Sequence, residues 1–176
     1  MAVDTGLLLK ALAFAAERHS RQRRKDVDAS PYINHPIALA NVLANEAGID
    51  EVEVLAAAVL HDTLEDTETT IADLDAAFGP RISSIVLEVS DDKSLPKAVR
   101  KQLQIDLAPQ LSHQAKLVKL ADKICNLRDV ATAPPVGWSQ ERRQAYFDWA
   151  GQVVDRLRGT HRGLEAIFDA AYAQRP

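Results

Sequence analysis

The sequence predicts an all-α fold, a compact bundle of about eight to nine helices in a single domain spanning residues 1–176. Apolar residues recur three and four positions apart, which is the spacing of one face of a helix. Residues that start and stop helices separate these segments at short intervals. The alternation of apolar and polar residues that marks a half-buried strand is nearly absent. Neither an internal repeat nor a linker divides the chain.

The first half of the chain contains helical segments separated by turn-forming residues. Pro36 suits the first position of a helix, and Gly48 suits its end. Asp50 is predicted to cap the next helix. Thr70 and Asp73 have the spacing of a capping box, in which side chain and backbone satisfy each other. The helices predicted in this half cover residues 7–19, 36–48, 51–64 and 71–79.

The second half begins at Gly79-Pro80, which predicts the end of one helix and the start of another. Segment 81–90 is rich in β-branched residues, but it lies between two helices without a partner strand, so we predict a helix. Segment 113–131 is predicted to be a long helix with one apolar stripe. The stripe consists of Leu117, Leu120, Ile124 and Leu127. The remaining predicted helices cover residues 97–108, 140–159 and 160–174.

The amino-acid composition limits the classes of protein to which the chain can belong. Of the 176 residues, 47% are hydrophobic, which is enough to bury one sizeable core. The net charge of −4 provides no general attraction to nucleic acid or to an anionic membrane. Cys125 is the one cysteine, so an intrachain disulfide is impossible and a reducing compartment is expected. We therefore expect a soluble cytoplasmic protein with no nucleic-acid or membrane partner, and we read Cys125 as a small buried apolar residue.

The segment VLHDTLEDT, residues 59–67, places four polar groups directly after an apolar helix. Residues four apart stack on one helix face, so His61 would lie over Glu65 and Asp62 over Asp66. If the helix frays after Leu64, the second pair lies in a loop over the same end. Two interpretations remain open. The segment is either a helix end that meets water, in which the dipole of the next helix favours the carboxylates that precede it, or it is half of a metal site.

Two further polar features lie elsewhere in the sequence. Asp122, Asn126 and Asp129 follow one another at four and three positions, on one face of the long helix. His35 directly precedes Pro36 at a helix entrance, where its imidazole can point inward. Each residue alone has an ordinary structural explanation, but imidazoles and carboxylates together suit manganese, iron or zinc. The candidate ligands are His35, His61, Asp62 and Asp122.

Basic residues are concentrated locally in this acidic chain. Arg24 and Lys25 lie close in sequence to His35, and guanidinium groups hold phosphate oxygens in pairs. Neighbouring Arg18 and Arg21 are read as a solvated face. A second basic cluster, DDKSLPKAVRK, offers Lys97 as a candidate. Arg142 and Tyr146, one helical turn apart, are predicted to close the pocket, whereas Trp138, Phe147 and Trp149 are read as core or lid residues.

These motifs in order resemble the HD-domain phosphohydrolases, whose signature is H…HD…D. The segments RRKD, PYINHP, VLHDTLEDT, AKLVKLADKICNLRD and GWS…YFDWA are similar to the stand-alone alarmone hydrolases of the RelA/SpoT class, and particularly to its metazoan branch. The resemblance spans nearly the whole chain. The chain is too short to contain the nucleotide-synthesising domain of long RelA/SpoT enzymes, so we expect hydrolysis alone.

The resemblance implies a role for each matching residue. The ligands of a metal, usually Mn²⁺, would be His35, His61, Asp62 and Asp122. Glu65 and Asp66 match the pair that catalyses attack by water. Arg24, Lys25 and Asn126 match positions that contact the nucleotide. The implied substrate is guanosine tetra- or pentaphosphate, ppGpp or pppGpp, cleaved at its 3′-pyrophosphate to give pyrophosphate and GDP or GTP.

Other functions remain open at this point. The metazoan branch is also associated with removal of the 2′-phosphate of NADPH. The same site would suit a deoxynucleoside phosphate or a cyclic nucleotide. A third possibility is a catalytically silent helical module that senses a nucleotide, although a sensor has no need of the acidic pair Glu65-Asp66. The oligomeric state and the loaded metal do not follow from the sequence.

Overall fold

The computed structural model describes residues 4–176, and helices dominate this part of the chain. The predicted all-α fold is confirmed: the described residues form nine helices of eight or more residues and one single turn. The helices are α1 Thr5–Arg18, α2 Asn34–Asn41, α3 Val52–Leu60, α4 Thr63–Asp66, α5 Ile71–Phe78, α6 Pro80–Val89, α7 Lys97–Leu107, α8 His113–Thr132, α9 Gln140–Asp155 and α10 Arg162–Tyr172. A π-helical turn, Val42–Glu46, extends α2, and a 3₁₀ turn, Ala108–Gln110, extends α7.

Two predicted helix starts are wrong in detail. Asp50 does not cap α3, because the N-cap is Glu51 and its side chain makes no capping hydrogen bond. Helix α2 begins at Asn34, two residues before the proline that was predicted to open it. Pro36 is tolerated there because the N–H groups of a first turn have no partner within the helix. As a result His35 lies inside the first turn of α2, which fixes its backbone.

The predictions around Gly79 are confirmed. The Thr70 hydroxyl accepts from the Asp73 N–H at 3.2 Å, and the Asp73 carboxylate accepts from the Thr70 N–H at 2.8 Å, which completes the capping box. Gly79 has a φ of 81°, a left-handed conformation that glycine adopts without steric cost. The β-branched segment that follows is helix α6, as its position between two helices predicted.

The helix that carries the His-Asp pair is broken at that pair. Helix α3 ends at Leu60, and a separate single turn, α4, carries Glu65 and Asp66. The structure therefore matches neither an uninterrupted helix nor a frayed loop. The buried Thr63 hydroxyl donates to the Leu60 carbonyl at 2.7 Å and stabilises the break. The His-Asp pair therefore lies at the break itself, and the acidic pair lies in the separate turn that follows it.

Helix α8 is the central helix of the core. It packs against α2, α3, α6, α9 and α10. Its predicted apolar stripe is buried, and Cys125 is buried beside it. Among residues 4–176 no helix combines the length and the apolar character needed to cross a membrane. Because α2, α3 and α8 pack on one another, the polar residues on each of them are brought to a common place.

Truncation of a core residue in α8 is expected to destabilise the fold. The Leu120 side chain is fully buried, so Leu120→Ala should lower the free energy of unfolding by about 2–5 kcal/mol through lost burial and a residual cavity. Urea denaturation followed by helical circular dichroism measures this change. Leu9→Ala, at an exposed position of α1, is the control and should cost less than about 1 kcal/mol. Equal losses in the two variants would contradict the position of Leu120 in the core.

Candidate metal centre and cavities

The structure brings together all four side chains predicted to bind a metal. His35 comes from α2, His61 and Asp62 from the break after α3, and Asp122 from α8. The His35 Nε2 lies 3.3 Å from Asp122 Oδ1. The His61 Nε2 lies 2.9 Å from Asp62 Oδ2 and 3.8 Å from Asp122 Oδ1. Four donor groups that are distant in sequence thus face one small volume.

The His61 ring is oriented for metal binding. Its Nδ1 lies 2.8 Å from the Ala58 carbonyl, and a carbonyl oxygen only accepts, so Nδ1 carries the proton and donates. The opposite Nε2 is buried and makes no well-directed hydrogen bond among the described residues, but it faces the carboxylates of Asp62 and Asp122. Candidate ligand atoms of His35, His61 and Asp62 all lie within 4.8 Å of one another. An imidazole nitrogen that faces two carboxylates across a small volume fits a divalent cation.

The charges of the cluster are strongly coupled. Burial lowers the pKa of the His61 imidazole, but the carboxylates of Asp62 and Asp122 raise it to a net value of about 9. Burial opposes ionisation of Asp62, but the charge of His61 holds the pKa of Asp62 below its usual range. Burial raises the pKa of Asp122, but the Lys123 ammonium and the imidazoles of His35 and His61 together lower it below its usual range. Two partly buried carboxylates thus remain ionised, a condition that nearby cations favour.

Tyr32 belongs to the cluster, although sequence reasoning missed it. Its hydroxyl donates to Asp62 Oδ2 at 2.5 Å and lies 3.4 Å from Asp66 Oδ2. Burial, followed by the charge of Asp62, raises the phenol pKa far above its ordinary value, so the hydroxyl remains a donor. The available signal was its position three residues before His35 in PYINHP. Tyr32 orients a carboxylate of the cluster.

The acidic pair lies beside the cluster in two different environments. Glu65 Oε2 accepts from the Asp91 N–H at 3.0 Å, and Arg100 Nη1 lies 3.8 Å from Glu65 Oε1. Burial raises the pKa of Glu65 above its ordinary value. Asp66 instead forms an ion pair with Lys93. The two carboxylates therefore differ: burial opposes ionisation of Glu65, whereas Asp66 is in direct contact with a cation.

Two cavities open onto the cluster. The first has a volume of about 280 Å³ and contains many charged groups. The second, of about 580 Å³, includes the apolar residues Val130, Pro135 and Trp138. Six residues line both cavities: Arg24, Tyr32, His35, Asp66, Asn126 and Tyr146. The cavities therefore meet where the candidate metal ligands converge.

The residues predicted to bind substrate are divided between these cavities. Arg24 lines both and pairs with Asp129. Lys25 is exposed and lines the second cavity. Lys97 is exposed and lines the first. Asn126 donates from Nδ2 to Asp122 Oδ1 at 2.7 Å, so it orients a carboxylate of the cluster as well as lining both cavities.

The aromatic residues of α9 and of the loop before it lie in different environments, some at the cavities and one in the core. Tyr146 lines both cavities, but Arg142 lines neither, and its guanidinium lies 4.4 Å from the centroid of the Trp138 ring. The structure thus does not bring Arg142 to the cavity wall. Phe147 is fully buried in the core, whereas Trp149 lines the first cavity. Phe147 is therefore a core residue, as predicted, whereas Trp149 faces the first cavity.

Four cations of the first cavity were also missed by sequence reasoning. They are Arg100, Lys101, Lys119 and Lys123. The first two belong to the basic cluster from which Lys97 alone had been selected. The other two are four residues apart on α8, beside the polar line that begins at Asp122. The usable signal was the helical spacing of basic residues within each segment.

Comparison with known proteins shows which family and which relatives the chain is similar to. A family model for the HD domain matches residues 11–150. The guanosine-3′,5′-bis(diphosphate) 3′-pyrophosphohydrolase MESH1 of Danio rerio is 53% identical over 172 residues, which cover 98% of this chain and 96% of that protein. The Homo sapiens protein of the same name is 52% identical over 175 residues, covering 99% and 98%. A solved structure described as a metazoan orthologue of SpoT that hydrolyses ppGpp has a TM-score of 0.95 at 47% identity, covering 99% and 98%.

Proposed function

This chain belongs to the HD-domain family, and we propose that it hydrolyses ppGpp to GDP and pyrophosphate, and pppGpp to GTP and pyrophosphate. Relatives named as 3′-pyrophosphohydrolases match nearly its full length at about half identity, which supports the proposal. The observation that carries it is the cluster of His35, His61 and Asp62 beside the acidic pair Glu65-Asp66. Such a combination suits metal-dependent attack of water on a phosphate ester.

We assign a divalent metal, with Mn²⁺ as the ion, to four ligands. These are His35, His61, Asp62 and Asp122. The Nε2 of His61 and the ionised carboxylates that it faces support the assignment. When bound, such an ion lowers the pKa of a coordinated water and neutralises charge on phosphate oxygens.

The reaction assigns distinct tasks to the acidic pair. The oxygen of water bonds to the phosphorus attached to the ribose 3′ oxygen, the bond between that phosphorus and the 3′ oxygen breaks, and the 3′ oxygen receives a proton. Glu65 accepts the proton of the attacking water, because burial raises its pKa and so makes its carboxylate a stronger base. Asp66, held by Lys93, positions the water. Pyrophosphate then leaves.

The two cavities suit the two ends of the substrate. The second cavity is larger and contains Trp138, so it is the proposed nucleoside site. Arg24 and Lys25 neutralise phosphate charge at its edge. The residues assigned to substrate binding are Arg24, Lys25, Lys97, Asn126, Arg142 and Tyr146. In this assignment Arg142 acts through the Trp138 ring on which it stacks.

Product analysis tests the function directly. Metal-loaded protein is incubated separately with ppGpp and NADPH, and products are separated by anion-exchange chromatography. Equal amounts of GDP and pyrophosphate are expected from ppGpp. Orthophosphate from NADPH with ppGpp left intact would replace the proposal with a 2′-phosphatase. Binding of ppGpp without turnover would indicate a nucleotide-sensing module, and a panel of deoxynucleoside and cyclic nucleotides at equal manganese covers the other substrates.

Removal of the Tyr32 hydroxyl is expected to weaken metal binding. Tyr32→Phe deletes the donor to Asp62 Oδ2, and loss of an interaction that orients a ligand typically costs about 10- to 100-fold in metal affinity or activity. Metal affinity is measured by competition with a chromogenic chelator. Tyr172→Phe, at the opposite end of the chain, is the control and should retain wild-type affinity. Unchanged affinity in Tyr32→Phe would contradict this role.

Wider aspects of the function remain part of the same proposal. The partner is a small nucleotide, without a nucleic-acid or membrane partner, and hydrolysis of an alarmone connects the protein with a stringent-type starvation response. A cytoplasmic location is proposed because the single cysteine, Cys125, suits a reducing compartment. The proposal treats residues 1–176 as one hydrolase domain and assigns no oligomeric state.

A further inference from the structure

The smaller cavity contains cations to which the proposed chemistry assigns no task. We call them the basic wall, and they are Arg100, Lys101, Lys119 and Lys123. Two come from α7 and two from α8. Asp122 lies 3.1 Å from Lys123 and Glu65 lies 3.8 Å from Arg100, so carboxylates offset part of this charge, but the four like charges still repel one another. The basic wall is therefore suited to a strongly anionic group.

Lys101 is the member of the basic wall that most clearly lacks a counter-charge. Its ammonium has no carboxylate partner among the described residues. It lies 4.5 Å from the centroid of the Trp149 ring and 5.6 Å from that of Tyr146. The Trp149 indole is fixed in turn by donating to the Lys101 carbonyl at 3.0 Å. Burial lowers the pKa of Lys101, and the charges of Lys97 and Lys123 lower it further, as expected for a cation held without its counter-ion.

Other members of the basic wall also have unused donors. The Nε of Arg100 is buried without a hydrogen-bond partner among residues 4–176. The buried Lys119 ammonium donates to the Val89 carbonyl at 2.8 Å, which leaves further N–H groups available. The Lys123 ammonium lies 3.1 Å from Asp122 Oδ2 and 4.4 Å from the Trp149 centroid. Unused charged donors at a cavity are suited to several phosphate oxygens at once.

The two cavities divide the substrate between them. The larger one contains the apolar surface of Trp138, Pro135 and Val130, whereas the smaller one has about half its volume and contains the basic wall. We propose that the basic wall binds the 3′-pyrophosphate of the substrate and holds it as the group that water attacks, so that it selects 3′-diphosphate over 3′-monophosphate esters. This inference rests on the proposed function. Lys101 is its principal specificity-determining residue, because it has no competing partner.

The test compares ligands that differ only at the 3′ end. Lys101→Met keeps the apolar stem against Trp149 and removes the charge, and Lys101→Arg restores it. Lys116→Met, on α8 and outside both cavities, is the charge-matched control. Three quantities are measured at fixed free manganese: kcat/KM for ppGpp, the inhibition constant of pyrophosphate, and the inhibition constant of guanosine 5′-diphosphate 3′-monophosphate.

Lys101→Met is expected to lower kcat/KM for ppGpp and to weaken pyrophosphate inhibition by about tenfold each, the usual effect of losing one charged hydrogen bond. Inhibition by the 3′-monophosphate should change less than twofold, and Lys101→Arg should recover most of the loss. Unchanged pyrophosphate inhibition in Lys101→Met would overturn the inference. Equal weakening for both inhibitors would also overturn it, because the wall would then attract anions without selection.

A calorimetric titration separates this inference from the function on which it rests. Pyrophosphate and orthophosphate are titrated into the metal-loaded wild type and into Lys101→Met. Wild-type protein that fails to hydrolyse ppGpp but binds pyrophosphate through Lys101 would refute the proposed function and support the basic wall as a diphosphate site. Wild-type protein that hydrolyses ppGpp while Lys101→Met binds pyrophosphate normally would refute the inference alone.

Discussion

Replacement of Glu65 by Gln together with Asp66 by Asn is expected to reduce ppGpp turnover by about 10²- to 10⁴-fold, the usual contribution of proton transfer by a positioned side chain. Both substitutions keep side-chain shape and remove the groups assigned to proton transfer and water positioning. The Glu65 carboxylate has the environment of a base, because burial raises its pKa and the Asp91 N–H fixes its orientation. Turnover is measured by release of pyrophosphate under saturating ppGpp.

This loss should occur without loss of fold or metal. Neither residue belongs to the assigned ligand set, so the metal content should remain at the wild-type value and the helical circular dichroism should be unchanged. Glu68→Gln, at an exposed position two residues further along the chain, is the matched control and should retain wild-type turnover. A double variant that keeps near wild-type rates would refute the assignment of the acidic pair.

Replacement of Asp122 by Asn is expected to abolish tight metal binding and, with it, turnover. Asp122 faces both imidazoles, at 3.3 Å from His35 Nε2 and 3.8 Å from His61 Nε2, and is ionised in the folded protein. An amide is nearly isosteric, but it has no charge to offer a divalent ion. The buried Lys123 ammonium also loses the carboxylate at 3.1 Å, so a lower melting temperature is expected as well.

Metal content by mass spectrometry and turnover of ppGpp measure these effects. We expect less than about one tenth of the wild-type metal content after dialysis, since loss of one charged ligand typically removes several kcal/mol of binding. Asp129→Asn is the control, because Asp129 lies on the same helix and pairs with Arg24 instead of facing the imidazoles. It should keep its metal. A stoichiometric ion in Asp122→Asn at wild-type affinity would exclude Asp122 from the ligand set.

Local features of the fold follow from the sequence alone. The capping box of Thr70 and Asp73 and the left-handed Gly79 define a helix start and a helix end through groups within three or four residues of each other. The apolar stripe of α8 has the same short-range origin, because spacing along a helix decides which side chains share a face. Prediction from neighbouring residues failed at Asp50, which does not cap α3. It also failed at the break after Leu60, where the buried Thr63 hydroxyl supports an interruption that the spacing of apolar residues does not reveal.

The candidate site was predicted only as far as its residue types allowed. His35, His61, Asp62 and Asp122 were recognisable as ligands of a kind that metals prefer, and the motifs identified the family before any distance was known. Their function as ligands remains a prediction, but the structure brings the four together. Periodicity on single helices could not supply this convergence.

Tertiary structure alone decided which partners surround those residues. The Tyr32 hydroxyl reaches Asp62, 30 residues further along the chain, and Gln22 donates to the Asp66 carbonyl across 44 residues. The packing of the helices also turns Arg100 and Lys101, but not Arg142, toward the cavities. Sequence determines contacts within one helical turn because the covalent chain fixes those distances. Contacts between helices depend on how all the apolar faces pack at once, and this decides which cation or hydroxyl reaches the site.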